Sequence, residues 1–549
     1  MLFAVRRLLL ALVCCFATST GLVAAEMPRL VVVVSVDQFP ARYLSLFRDQ
    51  WQLDGAFQQF DQKGAWFINC HHRHAVTITA PGHACMLTGA DPNRHGIIAN
   101  SWYDRETGKN VNCVEDSSSP AVGSTSPGEA VSPRNLLAPT LGDNIKLSTE
   151  GKGKVFGVSW KDRAGVLMSG HAADASYWFD GSTGGWITSQ YYRKDLPGYI
   201  RNYNEEGAAQ AFGGKAWELS LDPAKYHLYV PDDNPYEMNP PVFGNKFPHQ
   251  LPPATHPKYY DALSITPFAN QLTIGAAQRL IEFEKLGQDE YPDLICIGLS
   301  ANDYVGHAFG PHSLEVQEIT IQTDRQLAEL FRFIDEQLKG APWTFALSSD
   351  HGVAPIPELA VKFKLPGSRN PLGNLASLKP RLEERLQREL GAPAEGRSYV
   401  DRVEPGIVYL NVSIPELAAD RCAQAQQIVR AALLEMPSIA AAHTRAELLA
   451  ANSGNGLFEQ FRLMLHPRRS GEVLWVLAPY AILGSSTATH GSPWQYDSHV
   501  PLVFMGAGIK PGKYSARVSP AHMGPTLARV LGVDPPAAAT VDPAAEAIE

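Results

Sequence analysis

Arg29-Leu30-Val31-Val32-Val33-Val34-Ser35-Val36, followed at once by Asp37, is a β-branched apolar run without alternation. A strand that is apolar on both faces belongs inside a sheet covered on both sides, as in parallel sheets flanked by helices. Similar runs recur at 154–159, 294–299, 344–349 and 500–505. Helical patterns lie between them. Leu327, Leu330, Phe331, Ile334 and Leu338 recur at helical spacing, and 268–286 reads as a second helix closed by Gly287. Strands alternating with helices predict an α/β fold with a central, mostly parallel sheet flanked by helices.

Two stretches interrupt this pattern. Residues 185–262 carry nine of the 19 tyrosines and many prolines with little periodicity, which predicts a long insertion. Residues 356–486 separate the last two core strands. Within them Leu382, Leu386 and Leu390 line one helix face, while Ile407–Val412 and Val473–Leu477 read as strands, giving an inserted α+β subdomain. The core then comprises 26–355 and 487–534, and the Ala/Pro-rich end, 535–549, reads as a poorly ordered tail. No internal repeat is present.

The 549 residues have ordinary globular composition, 45% hydrophobic and 19% charged. Residues 1–25 begin with a basic start at Arg6 and Arg7, continue through a short apolar core and end in Val23-Ala24-Ala25. This is the pattern of a cleaved signal peptide and is too short to span a bilayer, so a periplasmic or secreted product is expected. Cleavage after Ala25 would move the formal charge from −9 to −11. Such a balance excludes nucleic acid or anionic membrane as partners by bulk charge, and no stretch predicts stable membrane insertion. Cys70, Cys85, Cys113, Cys296 and Cys422 would remain; none has CxxC spacing, and pairing is not legible. An oligomeric state is not encoded visibly either, and a monomer is compatible.

Chemistry-bearing residues cluster at the strand ends. Asp303 and His307 stand four apart, on one helix face, and can share a cation. Asp350-His351 follows the apolar run ending at Ser349, and Asp37 closes the first strand. The carboxyl ends of strands are where open α/β sheets build their sites. Mixed carboxylate and imidazole donors suit zinc. In Thr77-Ile78-Thr79-Ala80-Pro81-Gly82-His83, Pro81 fits a first helical turn, so Thr79 is expected at a helix N-terminus, where free amides attract a phosphoryl group. Taken as extended chain, Lys161-Asp162-Arg163 would point both cations to one face, as a grip for a dianion. Asn100 and His490 are further candidates. His71, His72, His74, His83, His312 and His499 lie near these segments and are expected to support them rather than to bind another metal.

In this order the motifs resemble the alkaline phosphatase superfamily, and within it the phosphate-irrepressible phosphomonoesterases with a threonine nucleophile. The resemblance spans Leu30 to about Leu531. It implies an alkaline-phosphatase-like fold and two zinc ions, one on Asp303, His307 and His490, the other on Asp37, Asp350 and His351 with Thr79 completing its sphere. It also implies that Thr79 is the nucleophile and that Asn100, Lys161 and Arg163 bind the phosphoryl oxygens. The family often has glycine after the nucleophile; here Ala80 stands there.

The implied reaction is hydrolysis of small phosphate monoesters through a phosphothreonine, in two in-line steps. A phosphodiesterase or nucleotide pyrophosphatase of the same superfamily is the main alternative, but it would want a neutral pocket where Lys161 and Arg163 stand. A sulfatase lacks its modification motif, and a non-catalytic zinc-binding protein would need neither the nucleophile nor the clamp.

Overall fold

The computed structural model describes residues 26–124, 130–240 and 242–549. The expected signal peptide lies outside the described residues. The strand Leu30–Val36 forms the middle of a ten-stranded sheet, paired in parallel with Asp293–Leu299 on one side and Trp343–Ser348 on the other. Its side chains explain the absence of alternation. Leu30, Val32, Val34 and Val36 enter one apolar core, while Val31 and Val33 enter the opposite one. The first core is covered by the helices Pro267–Phe283 and Leu314–Leu338. The second is covered by Thr79–Thr88, Leu141–Ser148 and Met523–Leu531. Each face contributes burial at roughly 25 cal/mol per Å² of apolar surface.

Beyond Asp293–Leu299 the sheet continues in parallel through Val155–Ser159 and Ala175–Asp180. On the other side Leu502–Gly506 joins Trp343–Ser348 antiparallel, although its apolar run reads like those of the parallel strands. A fully buried strand is apolar in either direction, so composition carries no sign of its polarity.

Several expected boundaries move. Gly185–Ser189 is a buried strand of the central sheet, antiparallel to Ala175–Asp180, so the tyrosine-rich excursion starts after it. The helix expected to run to Leu286 ends at Phe283, and Gly287, at φ +74°, makes a later turn. Residues 535–549, expected to lack order, are held in place. Thr540 N donates to Gly89 O, Lys510 N donates to Ala547 O, and Ala544 and Ala547 are buried in the second core. Alanine-rich composition hid this because small side chains fill a narrow groove without any periodic signal.

Between Trp343–Ser348 and Leu502–Gly506 stands a separate antiparallel sheet of four strands, including Ile407–Leu410 and Val473–Leu477. The helices Leu378–Leu390 and Ala419–Leu434 cover one side of it, with Leu382 and Leu386 buried there. From its other side Ile407, Tyr409, Leu474 and Val476 pack with Ala80 and Ala84 of the Thr79–Thr88 helix. All five described cysteines are free thiols, and only Cys422 is even half-exposed.

Candidate metal centre

Asp37 follows the central strand, and its amide still donates to Leu299 O (3.1 Å) before the chain breaks away. The break is at Gln38, in the left-handed region at φ +59°. From there Gln38 N donates to Asp350 Oδ1 (3.1 Å) and Gln38 Nε2 to Asp303 Oδ1 (2.6 Å), joining the ends of three neighbouring strands. Asp303 and His307 both lie on the helix Ala301–Phe309, with His307 Nε2 3.2 Å from Asp303 Oδ1. Asp350 and His351 leave the strand Trp343–Ser348, and Ser349 Oγ anchors the turn by donating to His351 O (2.7 Å).

Three histidines converge with the same orientation. His307 Nδ1 contacts Ala488 O (2.8 Å), His351 Nδ1 contacts Gly352 O (2.9 Å) and His490 Nδ1 contacts Thr77 O (3.0 Å). A carbonyl accepts only from a protonated nitrogen, so each ring carries its proton on Nδ1 and turns Nε2 towards the centre. His351 Nε2 stands 3.3 Å from Asp350 Oδ2 and 3.5 Å from Asp37 Oδ1, and His490 Nε2 is 3.5 Å from Asp303 Oδ1. Asp37 Oδ1, Asp350 Oδ2 and His351 Nε2 are buried without a hydrogen-bond partner. Buried polar atoms left unpaired are costly, and three of them close together could hold a cation.

Two groups have ligand atoms within 4.8 Å of one another: Asp37, Asp350 and His351, and Asp303, His351 and His490. The second group takes in His351 beside Asp303 and His490. The imidazole of His351 stacks on that of His490, with centroids 3.4 Å apart, and so borders both groups, whereas His307 approaches from the outer side of Asp303.

The electrostatics follow from burial and crowding. Burial raises Asp350 well above the ordinary carboxylate range, with the neighbouring Asp37 adding to the effect. Burial opposes ionisation of Asp303 too, but His307 and Lys161 overcome it and hold that carboxyl well below its usual value. Burial and the adjacent His490 keep His351 well below the usual imidazole range, in the neutral form a metal ligand needs.

Lys161 corrects the expected extended Lys-x-Arg. The strand Val155–Ser159 stops, Ser159 Oγ donates to Lys161 O (2.5 Å) and accepts from Gly165 N (2.8 Å), and a helix begins at Asp162 with Lys161 as its cap. The ammonium lies between Asp37 Oδ2 (2.7 Å) and Asp303 Oδ2 (2.5 Å), over the Tyr304 ring. Burial works against its charge, but these two carboxylates outweigh that and raise its pKa above the lysine norm. Arg163 sits one residue into the helix with its Nε buried and unpartnered.

Thr79 is the first residue of its helix, after extended Ile78 (φ −132°, ψ 167°), and is 2% exposed. Asn100 Oδ1 accepts from Ala80 N (2.9 Å). His83, one turn on, touches Thr79 O (2.8 Å) and Asp350 Oδ2 (3.4 Å), tying the helix start to the metal-ligand cluster. Its near neighbour His72 contacts Ser349 O (3.0 Å), just before Asp350. His71 and His499 stack on each other away from the centre, and His312 lies beside Arg42 in a different cleft. Gln38 and Tyr304 escaped the sequence reading: each adjoins a recognised ligand, but neither residue type advertises a role.

A ten-stranded sheet carrying acidic and imidazole ligands at its strand ends, beside a threonine at a helix start, defines a metal-dependent hydrolase architecture. Comparison with known proteins narrows this. The family model for type I phosphodiesterase / nucleotide pyrophosphatase matches residues 31–375. Alkaline phosphatase PafA of Elizabethkingia meningoseptica is 31% identical, covering 96% of this chain and 95% of that protein. A Myroides odoratus protein named calcium-transporting ATPase is 33% identical over 98% of both chains. The crystal structure of wild-type PafA superposes with a TM-score of 0.86 at 31% identity, covering 96% of this chain and all of that one. A PafA mutant altered at a threonine, an asparagine, a lysine and an arginine superposes equally well, with a TM-score of 0.87. The chain belongs to the type I phosphodiesterase / nucleotide pyrophosphatase family, within the alkaline phosphatase superfamily.

Proposed function

We propose that the protein is a zinc-dependent phosphomonoester hydrolase acting through a phosphothreonine on Thr79. The observation that carries this is the pair of ligand groups sharing His351, whose unpartnered donors adjoin a threonine-led helix N-terminus. Asp37, Asp350 and His351 would hold one zinc, and Asp303, His307 and His490 the other. Bound zinc would supply Lewis-acid stabilisation of charge on the attacking and departing oxygens.

Thr79 Oγ attacks phosphorus, the ester oxygen leaves on the opposite side, and water then cleaves the phosphothreonine in a second in-line step. The start of the Thr79 helix, with its aligned peptide dipoles, favours an anionic phosphoryl group. Asn100 is fixed by its bond to Ala80 N, which aims its amide beside the same group. Lys161 lies between Asp37 and Asp303, and Arg163 Nε is a buried donor without a partner. Two permanent cations favour the extra charge of a monoester over a diester. Similarity to PafA, and the four residue types altered in its mutant, support the same roles for Thr79, Asn100, Lys161 and Arg163.

The family's description also admits phosphodiester hydrolysis. The name of the Myroides relative suggests transport; among the described residues no helix is long and apolar enough to cross a membrane. We further infer export after cleavage at Ala25, which N-terminal sequencing of the mature protein would check.

The test is kcat/KM of the zinc-loaded enzyme on p-nitrophenyl phosphate and on its methyl diester. A strong monoester preference that Arg163→Ala erodes, together with loss of activity on chelation and recovery with zinc, is expected. A diester preference would overturn the monoesterase reading and leave the metal centre standing.

A further inference from the structure

A cavity of about 430 Å³ opens beside the candidate centre, between the core and the inserted subdomain. Ile78, Ile98, Asn100 and His490 line its core side. Ile78 immediately precedes Thr79, Asn100 touches Ala80 N, and His490 belongs to a ligand group, so the cavity is continuous with the site. The opposite wall comes from the subdomain: Ile407, Val476 and Leu483. Its volume falls in the range of pockets that enclose a small organic molecule.

The chemistry of the walls is selective. No lysine or arginine lines the cavity, and its carboxylate-bearing residues are Glu404 and Asp497. Asp497 accepts at Oδ2 from Ser492 N and Oγ at 2.9 and 2.5 Å, while its Oδ1 is buried without a partner. Glu404 lies at the mouth, where Asn110 Nδ2 donates to it at 3.3 Å. An anionic group here would meet acids and no cation, whereas an apolar ring would cover aliphatic side chains that are otherwise wetted.

We propose that this cavity is the leaving-group pocket, and that the inserted subdomain selects phosphate esters of neutral, flat apolar alcohols such as aryl esters. The proposal rests on the phosphomonoesterase reading for its place in the reaction. Phosphate held at the centre would have its ester oxygen directed towards the subdomain. Esters whose alcohol carries further phosphates or carboxylates would be discriminated against, and small polar alcohols would leave the pocket unused.

The pocket is tested by binding, apart from turnover, on the full zinc-loaded chain. Calorimetry compares 2-naphthylmethylphosphonate with methylphosphonate, which cannot be hydrolysed. The naphthyl compound should bind at least about tenfold more tightly, the scale of discrimination one apolar contact gives. Leu483 is half-buried and lies outside the candidate machinery. Leu483→Asp should abolish that preference while shifting methylphosphonate affinity by no more than about twofold. Leu483→Lys should restore binding selectively to the 6-carboxynaphthyl analogue. Equal affinities for the two phosphonates in the wild type would overturn the pocket, as would a preference indifferent to both variants. Turnover of 2-naphthyl phosphate by the same preparation reports separately on the phosphomonoesterase reading: binding preference without hydrolysis would sink that reading and keep the pocket.

Discussion

At Thr79 the backbone passes from extended chain into helix, and the next amide, Ala80 N, donates to Asn100 Oδ1. Thr79→Ala should lower kcat/KM by at least about 10³-fold and abolish phosphoenzyme, because it removes the proposed nucleophile. Thr79→Ser should keep phosphoenzyme formation. Rapid quench with labelled substrate distinguishes the two, and an active alanine variant would exclude the nucleophile role. Much of this neighbourhood was legible in the residues themselves. The Asp303/His307 spacing names a helix face, Pro81 names a helix start, and the apolar runs before Asp37 and Asp350 name strand ends. What stayed hidden depends on closure in three dimensions. Gln38 reaches two ligands only because its backbone turns left-handed. Lys161 meets Asp37 and Asp303 only because Ser159 turns its strand into a helix.

Among the elements, the Thr79–Thr88 helix and the Asp350 segment approach with no room to spare. A Cβ on Gly82 would stand 2.2 Å from Asp350 O and 2.6 Å from its Cα, both backbone atoms that cannot swing aside. Gly82→Ala should therefore part Thr79 from Asp350 and, on the proposed mechanism, cost about 10²-fold in kcat/KM, the scale of a 1 Å misplacement; wild-type activity would show that the helix slides freely. On the other side of the site, the excursion after Ser189 leans on the Ala301–Phe309 helix through Met238 N, which donates to Ala308 O (2.9 Å). Next to it Glu237 is buried, and burial with the nearby Glu315 pushes its carboxyl up to about 9. A folded-state value above the unfolded one means that the native protein holds an extra proton between pH about 4.5 and 9, so stability declines as pH rises through that window. Glu237→Gln should flatten the decline, read as urea midpoints at pH 5 and pH 9; an unchanged slope would mean that Glu237 ionises as freely folded as unfolded. No periodicity announced this excursion, since its contacts are made by loops whose register only the core dictates.

Across the whole molecule, the two faces of the central sheet were predictable from runs of valine and isoleucine, but the seam sealed by the C-terminus was not. Deleting residues from Pro535 onward would uncover the groove now filled by Ala544 and Ala547 and remove the bonds at Gly89 and Lys510. Each small apolar group is worth roughly 1 kcal/mol and each hydrogen bond about as much. The truncated protein should thus melt several degrees lower while retaining its metal content; an unaltered melting temperature would show the tail to be dispensable. The proposed ligands are scattered from Asp37 to His490, so the centre exists only when distant parts of the chain have met. A chain cut short anywhere before His490 would lack a member of the second proposed ligand group. On the proposed mechanism such a fragment would be inert towards phosphate esters, however much of the central sheet it retained.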